Sequence, residues 1–188
     1  MMGKQHMIVN SAVVTTGCVL CHSALSSVNC LQQDVAVTIY QYFYPSSVTG
    51  FVCVLWSILL FAAMLFGSLL PDIDSKTSML GKYIYIPVEH RTWTHTIWAV
   101  GILFMLGRVH AVFGAICVGY FLHLLVDSIS AAGICWFYPF QTYRRYNNGA
   151  FVAKNHKVKL YYAGKLSEKV LVVLILVVCA VICVVNLR

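Results

Sequence analysis

Long apolar runs alternate with short polar segments along this chain. The clearest run, residues 50–70, has no charged side chain and can cross a hydrocarbon core about 30 Å thick at about 1.5 Å per residue. Residues 170–187 form a valine-rich run that is too long for an ordinary strand. Runs at 7–25, 93–107 and 111–130 are marginal in length or carry polar interruptions. The pattern predicts an all-α, polytopic membrane bundle of about five transmembrane helices in one integral membrane domain, residues 1–188.

Local signals set some boundaries of these runs. Pro71 is expected to end the helix of residues 50–70 and to open a polar loop that reaches Arg91. The aromatic residues between 40 and 44 suit a membrane–water interface. Residues 7–25 have a rival interpretation as a cleaved signal peptide, because a short basic start precedes them; their polar interruptions favour a retained span.

Composition supports the membrane class. The chain is 60% hydrophobic and 10% charged, with a formal net charge of +7, and it lacks the basic helix or aromatic reader motif of a nucleic-acid-binding protein. With five spans, eleven of the thirteen lysine and arginine residues fall on one side of the membrane. The positive-inside rule then places the N-terminus and this side in the cytoplasm. The partner that the composition implies is the lipid bilayer.

Histidine and aspartate residues cluster on that same predicted side. The candidates for metal ligands are His6, Asp72, Asp74, His90, His95, His123 and Asp127. Ionisable groups are costly near hydrocarbon, so their presence in so apolar a chain indicates a function. His123 and Asp127 are four residues apart on a predicted helix and therefore share one face.

The ligand types point to a divalent metal. Imidazole nitrogen and carboxylate oxygen without thiolate suit zinc, manganese, iron or nickel, with zinc or manganese preferred here. Seven candidates exceed one tetrahedral shell, so the sequence predicts either two ions or one ion with further carboxylates that orient its ligands. Glu89 is a candidate general base beside the metal, and Arg91 a candidate for holding a phosphate, with Arg144 and Arg145 nearby in the topology.

Each cluster also has a plain structural interpretation. Asp72 and Asp74 alone fit an ordinary turn at the end of a helix, and His123 with Asp127 fits a hydrogen bond between helices. Glu89 fits a salt bridge with Arg91 or simple solvent exposure. His156 fits a solvated position in a lysine-rich loop. The metal interpretation rests on the clusters occurring together on one predicted side.

Three blocks in this order resemble a known family. They are Phe66 to Ser75 around Pro-Asp-Ile-Asp, His90 to Thr96, and Gly119 to Ser128. Together with His6 and the Tyr138-Pro139-Phe140 ending, they resemble the YdjM-type, LexA-regulated (SOS-response), membrane-bound metal-dependent hydrolases of the bacterial inner membrane. The chain departs from the usual pattern at Thr92 and Asn10, where that family has glycine. The resemblance implies a metal-dependent hydrolase and does not specify the substrate.

Two classes of function follow from these observations. In the first, a metal-activated water hydrolyses an ester or phosphoester at the membrane surface, with a lipid-borne substrate expected. In the second, the same ligands bind or transport a metal without turnover; transport would need ionisable groups along a path through the bilayer, and these cluster at one side. A third interpretation is structural, in which the polar cluster only joins helices. The absence of His-Glu-x-x-His disfavours an intramembrane metalloprotease.

Overall fold

The computed structural model describes residues 3–27, 30–47, 49–140, 143–145, 151–153, 160–162 and 165–186. In this part of the chain the helices are α1 (Gly3–Ser27), α2 (Cys30–Phe43), α3 (Gly50–Gly67), α4 (Ile97–Gly107), α5 (Ala111–Ser128) and α6 (Leu166–Asn186). Two short strands, β1 (Tyr143–Arg145) and β2 (Phe151–Ala153), pair antiparallel with Arg144 opposite Val152. The helical class is confirmed. The basic segment carries this short hairpin beside the helices.

Within the described residues, three helical segments are long and apolar enough to cross a membrane. They are Gly50–Asp74, Ala111–Ser128 and Leu166–Val185, and they correspond to the predicted spans 50–70, 111–130 and 170–187. Helix α4 is apolar but only 11 residues long, since Trp93–His95 before it form a 3₁₀ turn. The spans 7–25 and 93–107, and with them the count of five, stay predictions.

The helix boundaries around α3 agree only in part with those predicted from the sequence. Helix α3 ends at Gly67, and Pro71 then opens a 3₁₀ turn, Pro71–Asp74. Residues 30–43 form helix α2, which their aromatic composition alone did not predict. Helix α2 ends before Pro45, and the Phe43 carbonyl at its end accepts a hydrogen bond of 2.7 Å from the Trp56 indole of α3.

Helix α5 lies at the centre of the bundle and approaches α3 very closely. A Cβ atom on Gly119 would lie 1.9 Å from the Met64 carbonyl oxygen, and one on Gly67 would lie 2.1 Å from the Ile116 carbonyl oxygen. Only glycine permits such contacts. Helices in membranes commonly associate through small residues because lipid provides no hydrophobic driving force between them. The close approach brings the carbonyl group of Ser68 within reach of α5.

Helices α1 and α6 pack beside α5. A small buried cluster of Val9, Val126, Tyr161 and Val172 joins the three helices. Asn10, which is fully buried on α1, donates its Nδ2 to the Gly119 carbonyl at 3.3 Å. Asn10 therefore ties α1 to α5 one turn before His123.

Five helix termini meet at one end of the bundle. Contacts join His6 of α1 to Asp127 of α5, and Asp72 after α3 to His95 before α4. Tyr161, which precedes α6, also contacts Asp127. The N-termini of α1, α4 and α6 therefore lie beside the C-termini of α3 and α5. The side of the membrane that this end faces is a prediction.

Candidate metal centre

The structure brings the seven predicted ligands together at this end of the bundle. Two groups of three could each hold a metal ion, with ligand atoms that lie within 4.8 Å of one another. One group is His6, His123 and Asp127, and the other is Asp72, His90 and His95. Asp74 is in neither group, although it contacts the second one.

Four atoms from both groups form a compact set at the centre. The Nε2 atom of His95 lies 3.9 Å from Asp72 Oδ1 and 3.8 Å from Asp127 Oδ2. The Nε2 atom of His123 lies 3.6 Å and 3.8 Å from the same two oxygens. A tetrahedral zinc site with bonds of about 2.0–2.1 Å has ligands about 3.3–3.4 Å apart, so this set is slightly wider than such a site. All four residues are buried.

Hydrogen bonds fix the tautomers of both central histidines. His123 Nδ1 lies 2.7 Å from the Ser68 carbonyl oxygen, which can only accept, so Nδ1 carries the proton. The Thr94 hydroxyl donates to Asp74 Oδ2, so its oxygen accepts from His95 Nδ1 at 3.0 Å. Each Nε2 atom therefore bears a lone pair. Neither Nε2 atom makes a hydrogen bond within the described part of the chain.

Asp74 orients the loop that carries the histidines. Its Oδ1 accepts from His90 Nδ1 at 2.6 Å, and its Oδ2 accepts from the Arg91 backbone N–H at 3.2 Å and from Thr94. Three donors thus occupy a carboxylate that was predicted to be a ligand. A carboxylate that fixes a histidine ring in this way raises the basicity of the other ring nitrogen. The geometry favours an orienting role for Asp74.

Arg91 is held in an uncommon conformation. Its φ of 66° lies in the left-handed region, which side chains other than glycine rarely adopt. Its guanidinium contacts Asp127 Oδ2 at 3.1 Å and donates to Ser130 Oγ at 3.4 Å and to the Gly133 carbonyl at 3.3 Å. The predicted role was to hold a substrate phosphate. That role stays a prediction; the structure places this guanidinium among acceptors of the protein, where it compensates the charge of Asp127.

Asp127 also has contacts from the two ends of the chain. The Tyr161 hydroxyl donates to its Oδ1 at 3.3 Å and to the Val126 carbonyl at 3.2 Å. His6 Nε2 lies 3.3 Å from the same Oδ1. Burial raises the pKa of the Tyr161 hydroxyl well above its usual value, so this group donates throughout the physiological range. No sequence signal points to Tyr161, which lies in a basic segment outside the three motif blocks.

His6 and His90 flank the central set on two sides. The His6 ring stacks on His123 with centroids 3.8 Å apart. Burial, and then the neighbouring His123, lower the pKa of His6 to about 3, so His6 is neutral at pH 7 and can act as a ligand. The His90 side chain is 41% exposed and is the most accessible histidine of the cluster.

The remaining predicted residues lie outside the buried cluster or outside the described side chains. Glu89 is exposed, and its carbonyl accepts from the backbone N–H and hydroxyl of Thr92. Thr92 thereby closes the loop that precedes His95. Arg144 and Arg145 have described backbone but no described side chains, and His156 lies outside the described residues.

One comparison with known proteins gives a match. The model of the YdjM inner membrane protein family matches residues 1–188, the whole chain. No curated protein and no solved structure matches it.

Proposed function

The chain belongs to the YdjM inner membrane protein family, and from this premise we propose that it is a membrane-bound metal-dependent hydrolase. One observation carries the proposal. The Nε2 atoms of His95 and His123 are buried without hydrogen bonds among the described residues, and both face Asp72 and Asp127 at 3.6–3.9 Å. A nitrogen lone pair that is buried without a partner costs free energy. A shared cation would satisfy both histidines.

The charge of the cluster agrees with a divalent ion. Asp72, Asp74 and Asp127 are buried, and Arg91 is the cation that contacts Asp127 among the described residues. When all three carboxyl groups are ionised, they and the one guanidinium leave two negative charges in a buried site. Burying uncompensated charge is expensive, so one divalent cation would stabilise the ionised cluster. Oxygen and nitrogen ligands suit zinc or manganese.

Each residue of the cluster has a distinct part in this proposal. His95, His123, Asp72 and Asp127 hold the ion. Ser68, Thr94 and Asp74 fix the rings through the Nδ1 atoms, and Arg91 and Tyr161 hold the carboxylate of Asp127. When bound there, a divalent ion supplies Lewis acidity and makes hydroxide available near neutral pH. His6 and His90 are the further ligands available for a second ion.

The reaction adds water across an ester bond at the membrane surface. Hydroxide formed from water would join the carbonyl carbon or the phosphorus as the ester bond breaks, and the proton lost by that water would pass to the leaving alkoxide. His90 is suited to pass that proton, because it is partly exposed and its Nδ1 is held by Asp74. Glu89 stays a candidate general base on the exposed side of the same loop. The distribution of basic residues supports a cytoplasmic location for this end and for the N-terminus.

Hydrolysis assays on the purified, reconstituted protein test the proposal. We expect zinc or manganese to support cleavage of p-nitrophenyl acetate or bis-p-nitrophenyl phosphate, and we expect His123→Ala to abolish it. A matched control is His110→Asn, because His110 is exposed and caps α5 through its side chain and asparagine also caps helices. Metal binding without cleavage of any ester would instead support a non-catalytic metal-binding or transport protein.

A further inference from the structure

We propose that residues 76–86, named here the lysine–tyrosine segment, lie in the headgroup layer of the membrane and bind anionic phospholipid. The segment begins two residues after Asp74, the last residue of the candidate span Gly50–Asp74, so it starts at a membrane boundary. It also separates Asp72 and Asp74 from His90 and His95 along the chain. The segment therefore connects two parts of the candidate metal centre along the chain.

The segment exposes four large apolar side chains in succession. They are Tyr83, Ile84, Tyr85 and Ile86, and the first two are 79% and 59% exposed. A soluble protein seldom presents so many apolar residues together to water. Tyrosine suits the headgroup layer, because its ring is apolar while its hydroxyl remains hydrated.

Lysines stand over both tyrosine rings. Lys82 Nζ lies 4.7 Å from the centroid of the Tyr83 ring, and Lys76 Nζ lies 4.9 Å from that of Tyr85. The segment thus places a positively charged ammonium group over each of two apolar rings. That combination complements anionic phospholipid, whose acyl chains are apolar and whose phosphate is negative.

The segment is fixed to the metal centre by hydrogen bonds. Ser78 Oγ donates to the Asp72 carbonyl at 2.7 Å. The Ile86 N–H donates to the Ile73 carbonyl at 3.2 Å. These bonds hold the segment against the turn that carries Asp72. A lipid bound to the segment would therefore lie beside the candidate metal centre.

Exposed aromatic residues also lie at the start of α4, beside His95 of the candidate metal centre. Trp93 and Trp98, on either side of His95, are exposed. Trp93 packs edge-on against Tyr138 at 5.3 Å, and the Trp98 indole donates to the Tyr138 carbonyl at 3.1 Å. Exposed tryptophan and tyrosine around a helical bundle are typical of the membrane interface. This group supports a position at the membrane interface for the end of the bundle that carries the candidate metal centre.

The lipid surface itself does not require a metal. If the proposed hydrolase function is correct, the lipid bound at this surface would also be the substrate, so the substrate class would be an anionic glycerophospholipid of the membrane. That consequence rests on the proposed function. The binding experiment can be run with chelator present, so failure of the lipid surface and failure of the metal centre give different results.

The depth of the lysine–tyrosine segment in the membrane is tested by tryptophan fluorescence of the Ile84→Trp variant. The protein is reconstituted in vesicles of equal parts phosphatidylcholine and phosphatidylglycerol, and the emission of the parent protein is subtracted. We expect lipid carrying a nitroxide at the headgroup to quench the added tryptophan, and aqueous acrylamide to quench it weakly. Strong quenching by acrylamide with none by the labelled lipid would overturn the proposal.

Lipid selectivity is tested by electron spin resonance with spin-labelled phosphatidylglycerol and phosphatidylcholine. One lysine near an anionic surface is worth about 1 kcal/mol, or roughly a fivefold change in association. We expect Lys76→Gln/Lys82→Gln to reduce the preference for phosphatidylglycerol by roughly fivefold or more, and Lys76→Arg/Lys82→Arg to keep it. An unchanged preference in the glutamine variant would overturn the proposal. Loss of the preference on addition of inorganic phosphate, but not of sodium chloride at the same ionic strength, would do so as well, because the site would then bind free phosphate.

Discussion

The substitution Gly119→Ala tests how the backbone positions the candidate metal centre. A Cβ atom there would lie 1.9 Å from the Met64 carbonyl oxygen and 3.0 Å from the Ser68 backbone nitrogen. The closest ordinary carbon–oxygen contacts are about 3.3 Å, so α3 and α5 would have to separate by more than about 1 Å. The hydrogen bond of 2.7 Å between His123 Nδ1 and the Ser68 carbonyl would then be lost.

Gly119→Ala should lose folding free energy for two reasons. Overpacking of a close contact costs about 1–3 kcal/mol of folding free energy, and a lost hydrogen bond costs about 1 kcal/mol more. Loss of the group that orients a metal-bound histidine typically weakens metal affinity by about 10–100-fold. We therefore expect Gly119→Ala to lower both the free energy of unfolding and the affinity for zinc. Unfolding in detergent and competition with a zinc-binding dye measure the two quantities.

Gly101→Ala provides the matched control. Gly101 lies in α4, and a Cβ atom there would meet nothing within 4 Å. Alanine in a helix is favoured over glycine by about 0.5–1 kcal/mol, so this variant should be as stable as the parent or more stable, with unchanged zinc affinity. Equal stability and equal affinity in the two variants would refute the close approach of α3 and α5.

Three further predictions concern other parts of the account. Arg91→Gln should destabilise the metal-free protein by about 3–5 kcal/mol, because it leaves Asp127 without its buried cation; added zinc should recover part of the loss in a thermal scan. Thr94→Val should weaken zinc affinity by about 10–100-fold, whereas Thr94→Ser retains it, and an equal loss in both variants would exclude the hydroxyl's orienting role. Reporter fusions at position 148 should be cytoplasmic and fusions at position 188 external, and a cytoplasmic C-terminus would contradict the five-span topology.

Much of the fold could be predicted because apolar length is a direct signal for membrane helices. The spans at residues 50–70 and 170–187 could be predicted from their length and lack of charge alone. Helix α2 was not predicted, since its aromatic residues also suit an interface without a helix. The start of α4 was placed too early because hydropathy does not detect that Trp93–His95 form a 3₁₀ turn.

The members of the candidate site were visible in sequence, but their separate roles were not. Asp72 and Asp74 have the same chemistry and lie two residues apart, yet one faces the histidine Nε2 atoms and the other accepts three hydrogen bonds. Only the backbone path decides between them. Arg91 was predicted to hold a substrate phosphate, and the sequence did not indicate its contact with Asp127. Tyr161 reaches Asp127 through tertiary packing alone.

The metal content of the detergent-purified protein tests the central claim most directly. Elemental analysis should find zinc or manganese at close to stoichiometric amounts in the parent protein. His123→Ala and Asp127→Asn should lose it while they still insert into the membrane and fold, because these residues lie one turn apart on α5 and truncation leaves the helix intact. A parent protein without bound metal, or variants that keep full metal content and lose only stability, would contradict the account.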